Sequence, residues 1–175
     1  RKTCDARPFG GGAGMVMMVQ PIFDCLRSLG GRGFKIMVSS RGERFSQGLA
    51  RQLAQKRHLI FICGHYEGID ERVHERLVDQ EISAGDFVTT GGEAPALCFI
   101  DAIIRLVPGV LGNERSLAHE SFTEKLLDFP QYTYPRNFRG WKVPEVLLSG
   151  DHLDIRRWRA DQALRLTRTH RPDLL

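Results

Sequence analysis

"SAGDFVTTGGE", Ser83 to Glu93, leaves a short apolar run and enters "APALCFIDAIIRLV". Two threonines, two glycines and then a proline precede a long apolar segment, so the spacing predicts a loop that turns directly into a helix. Pro95 falls in the opening turn, where a missing N–H costs nothing. Gly91 and Gly92 have no side chain to keep another group away from the backbone, so something must pass close to the chain there.

Upstream, "FKIMVSS" (Phe34 to Ser40) and "HLIFICG" (His58 to Gly64) are apolar runs stopped by polar residues or glycine. Both read as strands buried on two faces. Between them, "RGERFSQGLARQLAQKR" carries helical spacing with Phe45, Leu49 and Leu53 on one stripe, which gives strand, helix, parallel strand. A further helical pattern spans Ile69 to Val78, and "QEISAGDFV" reads as a short strand entering a loop. The helix after Gly92 is expected to run to Val107 and stop at Pro108-Gly109. Val110 to Phe122 holds no sustained period and reads as a mobile linker. A proline- and aromatic-rich stretch follows, and then a helix from about His152 that Asp151 can cap.

Composition sets wider limits. The chain has 175 residues, 42% of them hydrophobic, and a net charge of +4. That is enough for one well-buried α/β domain and a smaller appendage, and no run approaches the length of a membrane span. Cys4, Cys25, Cys63 and Cys98 are widely spaced without a C-x-x-C pair, so reduced thiols and no structural metal are expected. "RKTCDARPF" lacks the apolar core of a secretory signal, and the chain starting at Arg1 reads as cut from a longer one.

Three glycine-containing stretches carry the chemistry: "RPFGGGAGM" (Arg7 to Met15), "CGHYEGIDERV" (Cys63 to Val73) and the opening stretch. Neither G-x-G-x-x-G nor G-x-x-x-x-G-K-[ST] occurs, which disfavours a phosphate cradle. The stretches are expected to follow successive strands and to meet at the carboxyl edge of a parallel sheet, where open α/β sheets bind ligands.

"DARPFGGGAGMVM", "ICGHYEGIDERV", "ISAGDFVTTGGEAPA", "IDAIIRLVPGVLGNE", "ESF", "LLDFPQYTYP" and "VPEVLLSGDH" occur in that order. Together they closely resemble the bacterial tRNA (guanine-N1)-methyltransferases of the SPOUT superfamily, over nearly the whole chain. The resemblance implies an α/β fold with a mostly parallel sheet and a deep trefoil knot over residues 1–112, whose first strand and helix lie upstream. It further implies a flexible linker at 113–122 and a small, mainly helical tRNA-binding domain over 123–175. The implied activity is transfer of a methyl group from S-adenosylmethionine to N1 of guanosine 37, 3′ of the anticodon. The implied setting is a cytoplasmic homodimer whose active sites are completed by both subunits. A dependence on magnesium is also implied, although no ligand motif for it is visible.

By the same resemblance, Gly64, Tyr66, Ser83, Ala84, Gly85, Asp86, Phe87, Val88, Thr89, Gly91 and Gly92 match positions around the methyl donor. Phe87 and Thr89 stand where tyrosine and leucine are often found. Arg105 matches an arginine placed to stabilise charge on O6 of the guanine, and Glu120 stands at the position of an aspartate that acts as base. Asp5 and Glu67 match acidic positions near the target guanine. His65 replaces an arginine. In the last segment, arginines that include Arg157 and Arg165 alternate with Tyr132, Tyr134, Phe138, Trp141 and Trp158, a pattern suited to looped RNA. An RNA-binding module without catalysis is the rival reading, separated from the first by methyl transfer to a tRNA transcript.

Overall fold

The computed structural model describes residues 3–112 and 120–175. The chain divides into two compact units, Arg1–Gly112 and Asn113–Leu175.

The first unit opens with a two-residue antiparallel pair, β1 (Asp5–Ala6) and β2 (Val16–Met17), followed by α1 (Val19–Ser28). Three parallel strands then alternate with helices: β3 (Phe34–Arg44), α2 (Gln47–Ala54), β4 (Leu59–Cys63), α3 (Glu71–Leu77), β5 (Gln80–Ser83) and α4 (Glu93–Ile104). The strand order is β4-β3-β5, both pairings parallel. Strand pleating sends successive side chains to opposite faces. Ile36, with Leu49, Ala50 and Leu53 of α2 and Phe99 and Ile103 of α4, forms the core on one face. Met37, Ile60 and Ile62 pack with Ile22 and Leu26 of α1 and Val73 of α3 on the other. Helices therefore cover both faces, which is why the strands read as continuous apolar runs.

Two boundaries differ from the sequence reading. The strand expected to end at Ser40 continues to Arg44, with its register against β5 shifting between Val38 and Glu43. Gly42 permits this, since a Cβ there would lie 2.4 Å from the Ile82 nitrogen. The following helix accordingly starts at Gln47, where the Ser46 hydroxyl accepts from the Leu49 N–H at 3.2 Å. Phe45 lies ahead of the helix, yet it still packs on Phe99 at a centroid separation of 4.5 Å. Likewise α4 ends at Ile104 rather than Val107. Leu106 and Val107 close with i→i−3 bonds of 3.0 and 3.1 Å, a tightened turn ahead of Pro108.

The second unit contains a short hairpin, β6 (Asn137–Phe138) and β7 (Trp141–Lys142), a 3₁₀ turn at Glu145–Leu148, and α5 (His152–His170). Asp151 caps α5, its carboxylate accepting from the Leu153 and Asp154 N–H groups at 2.8 and 3.1 Å. Thr167 is fully buried on α5: its hydroxyl donates to the Ala163 carbonyl at 2.7 Å and accepts from the Leu127 N–H at 2.9 Å. That bond ties the irregular segment before the hairpin to the helix. Of the expected linker, Asn113 to His119 lies outside the described residues. Glu120 to Phe122 forms a turn, with the Thr123 N–H on the Glu120 carbonyl and the Phe122 N–H on the Leu126 carbonyl at 2.7 Å.

Candidate active site

A cleft of about 370 Å³ opens at the carboxyl ends of β3, β4 and β5. That falls within the range of small-ligand pockets, roughly 300–1,000 Å³. Its walls are Met37 to Arg41, Gly64 to Ile69, and Ser83 to Gly92 without Asp86, with Glu71, His74 and Pro95 completing them.

The walls interlock through main chain. Gly92 donates its N–H to the Gly64 carbonyl at 2.9 Å, and His65 and Gly91 form an isolated antiparallel bridge. A Cβ on Gly92 would sit 2.9 Å from the Cys63 Cα and 3.1 Å from the Gly64 nitrogen, so the two segments touch backbone to backbone. Above this crossing, His65 Nε2 lies 2.6 Å from Glu93 Oε1. The Glu93 carboxyl is held below the usual range by its own N–H at the start of α4 and by His65. Burial, with Glu93 nearby, pushes the Cys63 thiol up.

The predicted site residues fall in several places. Gly64, Tyr66, Ser83, Ala84, Gly85, Phe87, Val88, Thr89, Gly91 and Gly92 all line the cleft, and so does Glu67. Ser83 is buried, its hydroxyl accepting from the Gly85 N–H at 3.2 Å and donating to the Gly85 carbonyl at 3.1 Å. The Thr89 hydroxyl donates to the Gly91 carbonyl at 2.8 Å, which leaves the Thr89 side chain engaged with its own loop. Asp86 does not line the cleft; its carboxylate pairs with Arg44. Asp5 lies on β1 opposite Met17, which bridges to Ile69 on its other side.

Arg105 caps the C-terminal end of α4 in the first unit. Glu120 belongs to the second, in a cavity shared with Phe129 and Arg159. Arg157 and Arg165 are exposed on α5, with Arg157 3.6 Å from Asp154.

The stretch "RPFGGGAGM" departs from expectation. It joins the antiparallel β1 and β2 rather than following a parallel strand, and it does not line the cleft. It reaches the site indirectly: the Glu67 N–H donates to the Met15 carbonyl at 3.0 Å, and Gly14 leaves room for the Glu67 side chain, which a Cβ would meet at 2.5 Å.

The sequence reading missed one cluster. Arg41, in the extended part of β3, donates to Glu71 at 2.9 Å and to Glu81 at 3.2 Å, while His74 Nδ1 lies 2.8 Å from Glu81. These hydrogen bonds raise the Arg41 guanidinium further above its ordinary value. Burial alone would raise the Glu81 carboxyl, but hydrogen bonds from Arg41, His74 and Ser39 outweigh it and hold it low. The only signal in the sequence was position, since Arg41 follows the carboxyl end of an expected strand. Among the described residues, no group of three or more His, Cys, Asp or Glu gathers to hold a metal ion. The described residues thus offer no ligand set for magnesium.

A parallel sheet covered by helices on both faces, with a main-chain-lined cleft at its carboxyl ends, defines an α/β ligand-binding unit. The chain belongs to the tRNA (guanine-1)-methyltransferase TrmD family, whose model matches residues 1–175. It is 58% identical over 172 residues to a tRNA (guanine-N(1)-)-methyltransferase of Carboxydothermus hydrogenoformans, covering 98% of this chain and 68% of that one. A relative of the same name from Moorella thermoacetica is 55% identical over 179 residues, covering 99% and 72% of the two chains. One from Bacillus subtilis is 52% identical over 177 residues, covering 99% and 73%. The family is one of enzymes, and among the described residues no helix is long and apolar enough to cross a membrane.

Proposed function

We propose that this chain transfers the methyl group of S-adenosylmethionine to N1 of guanosine 37 in tRNA, working as a cytoplasmic homodimer. The observation that carries the reading is the crossing of Gly91-Gly92 over Cys63-Gly64 at the cleft, in a chain of this family. This close return of the Ser83–Gly92 segment is what a knotted SPOUT core would require. The cleft offers main-chain groups for an adenosine and Phe87 and Val88 for its apolar faces.

The donor supplies an electrophilic methyl on a sulfonium sulfur. The protein's task lies on the guanine, because N1 carries a proton and becomes a good nucleophile only as that proton leaves. In this reading the Glu120 carboxylate takes the N1 proton, the N1 electron pair forms the bond to the methyl carbon, and the carbon–sulfur bond breaks with its electrons left on sulfur. Arg105 stabilises the charge that develops on O6. Asp5 and Glu67 accept from the guanine's N–H groups, and Arg157 and Arg165 hold tRNA phosphates. The first unit is then the methyltransferase domain, the second the tRNA-binding domain, and 113–122 the linker between them.

The homodimer is supported by α4. Leu97, Ile100 and Ile104 recur at i, i+3 and i+7 on that helix and are all exposed in the single chain.

The test is incubation of the protein with tRNA transcript and methyl-labelled donor, followed by nucleoside analysis. Label is expected in 1-methylguanosine, and none in a transcript with adenosine at position 37. A protein that binds the transcript but leaves no label in 1-methylguanosine would overturn the catalytic reading in favour of an RNA-binding module.

A further inference from the structure

The second unit holds a cleft that the proposed reaction does not use. It encloses about 290 Å³ and is lined by Phe129, Tyr132, Tyr134, Leu148, Arg136 and Arg159, among others. No carboxylate is among its lining residues, although the helix beside it carries Asp151, Asp154 and Asp161. The cleft therefore combines aromatic rings with two guanidinium groups and no carboxylate.

Its aromatic groups are arranged for a planar guest. Tyr134 is 84% exposed and Tyr132 is 49% exposed, an unfavourable state for large rings unless another surface covers them. Tyr132 lies against Trp158 at a centroid separation of 6.3 Å, the two rings tilted by 57°. Arg159, itself exposed, holds its guanidinium 4.7 Å from the centroid of the half-buried Phe129 ring. Gln131 and Thr133 alternate with the tyrosines and bring amide and hydroxyl groups to the same opening. The volume sits at the lower end of small-ligand pockets, roughly 300 Å³, which suits one heteroaromatic ring system rather than a larger molecule.

We infer that this cleft captures one unstacked nucleobase of the substrate tRNA, Tyr134 and the Phe129–Arg159 pair offering it their flat faces and Arg136 an adjacent phosphate its charge. The inference rests on the tRNA reading above and deepens it. Exposed phosphate contacts such as Arg157 and Arg165 carry little sequence information. A base drawn out of its stack can be read on its edge, so the cleft gives the second unit a means of selection. Phe129 and Arg159 also line the neighbouring cavity in which Glu120 stands, so a seated base would brace the wall beside that carboxylate.

The experiment is equilibrium binding of tRNA transcript to the full chain over a series of salt concentrations, for wild type, Tyr134→Ala, Tyr134→Phe and Arg136→Gln. Tyr134→Ala should weaken binding about 5- to 150-fold, the usual worth of one stacked base, with the salt slope unchanged. Tyr134→Phe should bind like wild type. Arg136→Gln should flatten the slope of log affinity against log salt by about 0.7 to 0.9. Donor affinity and thermal midpoint should stay constant throughout, because Tyr134 is exposed. A wild type that binds tRNA while Tyr134→Ala binds within twofold of it overturns the nucleobase cleft alone. Loss of affinity accompanied by a changed salt slope in Tyr134→Ala overturns stacking as its basis. Failure of the wild type to bind tRNA overturns the tRNA reading itself.

Discussion

Replacing Gly92 by alanine tests the architecture of the cleft directly. Gly92 has φ −80°, a conformation open to any residue, so alanine meets no intrinsic backbone penalty there. The whole cost is steric. The new methyl would lie 2.9 Å from the Cys63 Cα, 3.1 Å from the Gly64 nitrogen and 3.2 Å from the Cys63 Cβ. All three atoms belong to backbone or lie next to it, so relief requires the Ser83–Gly92 segment to lift by several tenths of an ångström. Overpacking of this kind costs about 1–3 kcal/mol. At about 2–4 °C per kcal/mol for a chain of this size, the thermal midpoint should fall by roughly 2–12 °C. The same movement stretches the 2.9 Å bond from the Gly92 N–H to the Gly64 carbonyl, which joins two walls of the cleft, so donor affinity should fall with stability. Gly91→Ala is the control. Its methyl would meet Glu93 Oε2 at 2.5 Å and His65 Cε1 at 2.7 Å, both ends of exposed side chains that can swing away. The cost is then the opened His65–Glu93 pair, about 0–1 kcal/mol. Thermal melts and titration calorimetry with the donor, run side by side, decide it. A Gly92→Ala protein as stable and as tight-binding as wild type, or one less perturbed than Gly91→Ala, would refute the close crossing.

The remaining predictions concern both units. Glu120→Gln should lower the single-turnover methylation rate by about 10²- to 10⁴-fold with donor binding intact, the usual worth of a general base, while Glu120→Asp should keep most of the rate. Arg157→Gln and Arg165→Gln should each flatten the salt dependence of tRNA binding by about 0.7 to 0.9 and leave donor binding alone, as paired filter-binding and calorimetry would report. Thr167→Val keeps the shape of a buried side chain but leaves the Leu127 N–H without its acceptor, so urea unfolding of the second unit should show a loss of about 1–3 kcal/mol. Asp70 caps α3, and a hydrogen bond from the Arg72 side chain holds its carboxyl at about 2. Because that folded value lies below the unfolded one of about 3.9, its contribution is present above pH ~4 and is lost as pH falls towards 2. Across that window Asp70→Asn should lose less stability than wild type in acid titrations followed by circular dichroism.

The order of elements was legible because it rests on local periodicity. The runs Phe34–Ser40 and His58–Gly64 announced strands, Leu49 and Leu53 a helix stripe between them, Pro95 a helix start and Asp151 a cap; each signal lies within a few residues of the element it specifies. The motif order carried the family in the same way. What the sequence could not convey depended on groups far apart in the chain. The extension of β3 to Arg44 requires Gly42 to fit against the backbone of Glu81 and Ile82, about 40 residues later. The cluster of Arg41, Glu71, His74 and Glu81 is assembled only once β3, α3 and β5 have packed together. The first glycine stretch was indistinguishable by composition from the other two, and its place in an antiparallel hairpin came from pairing. Gly91 and Gly92 look equivalent as letters. Folding makes them different, because one faces movable side chains and the other the main chain of Cys63 and Gly64, and a backbone at close contact has no rotamer with which to yield.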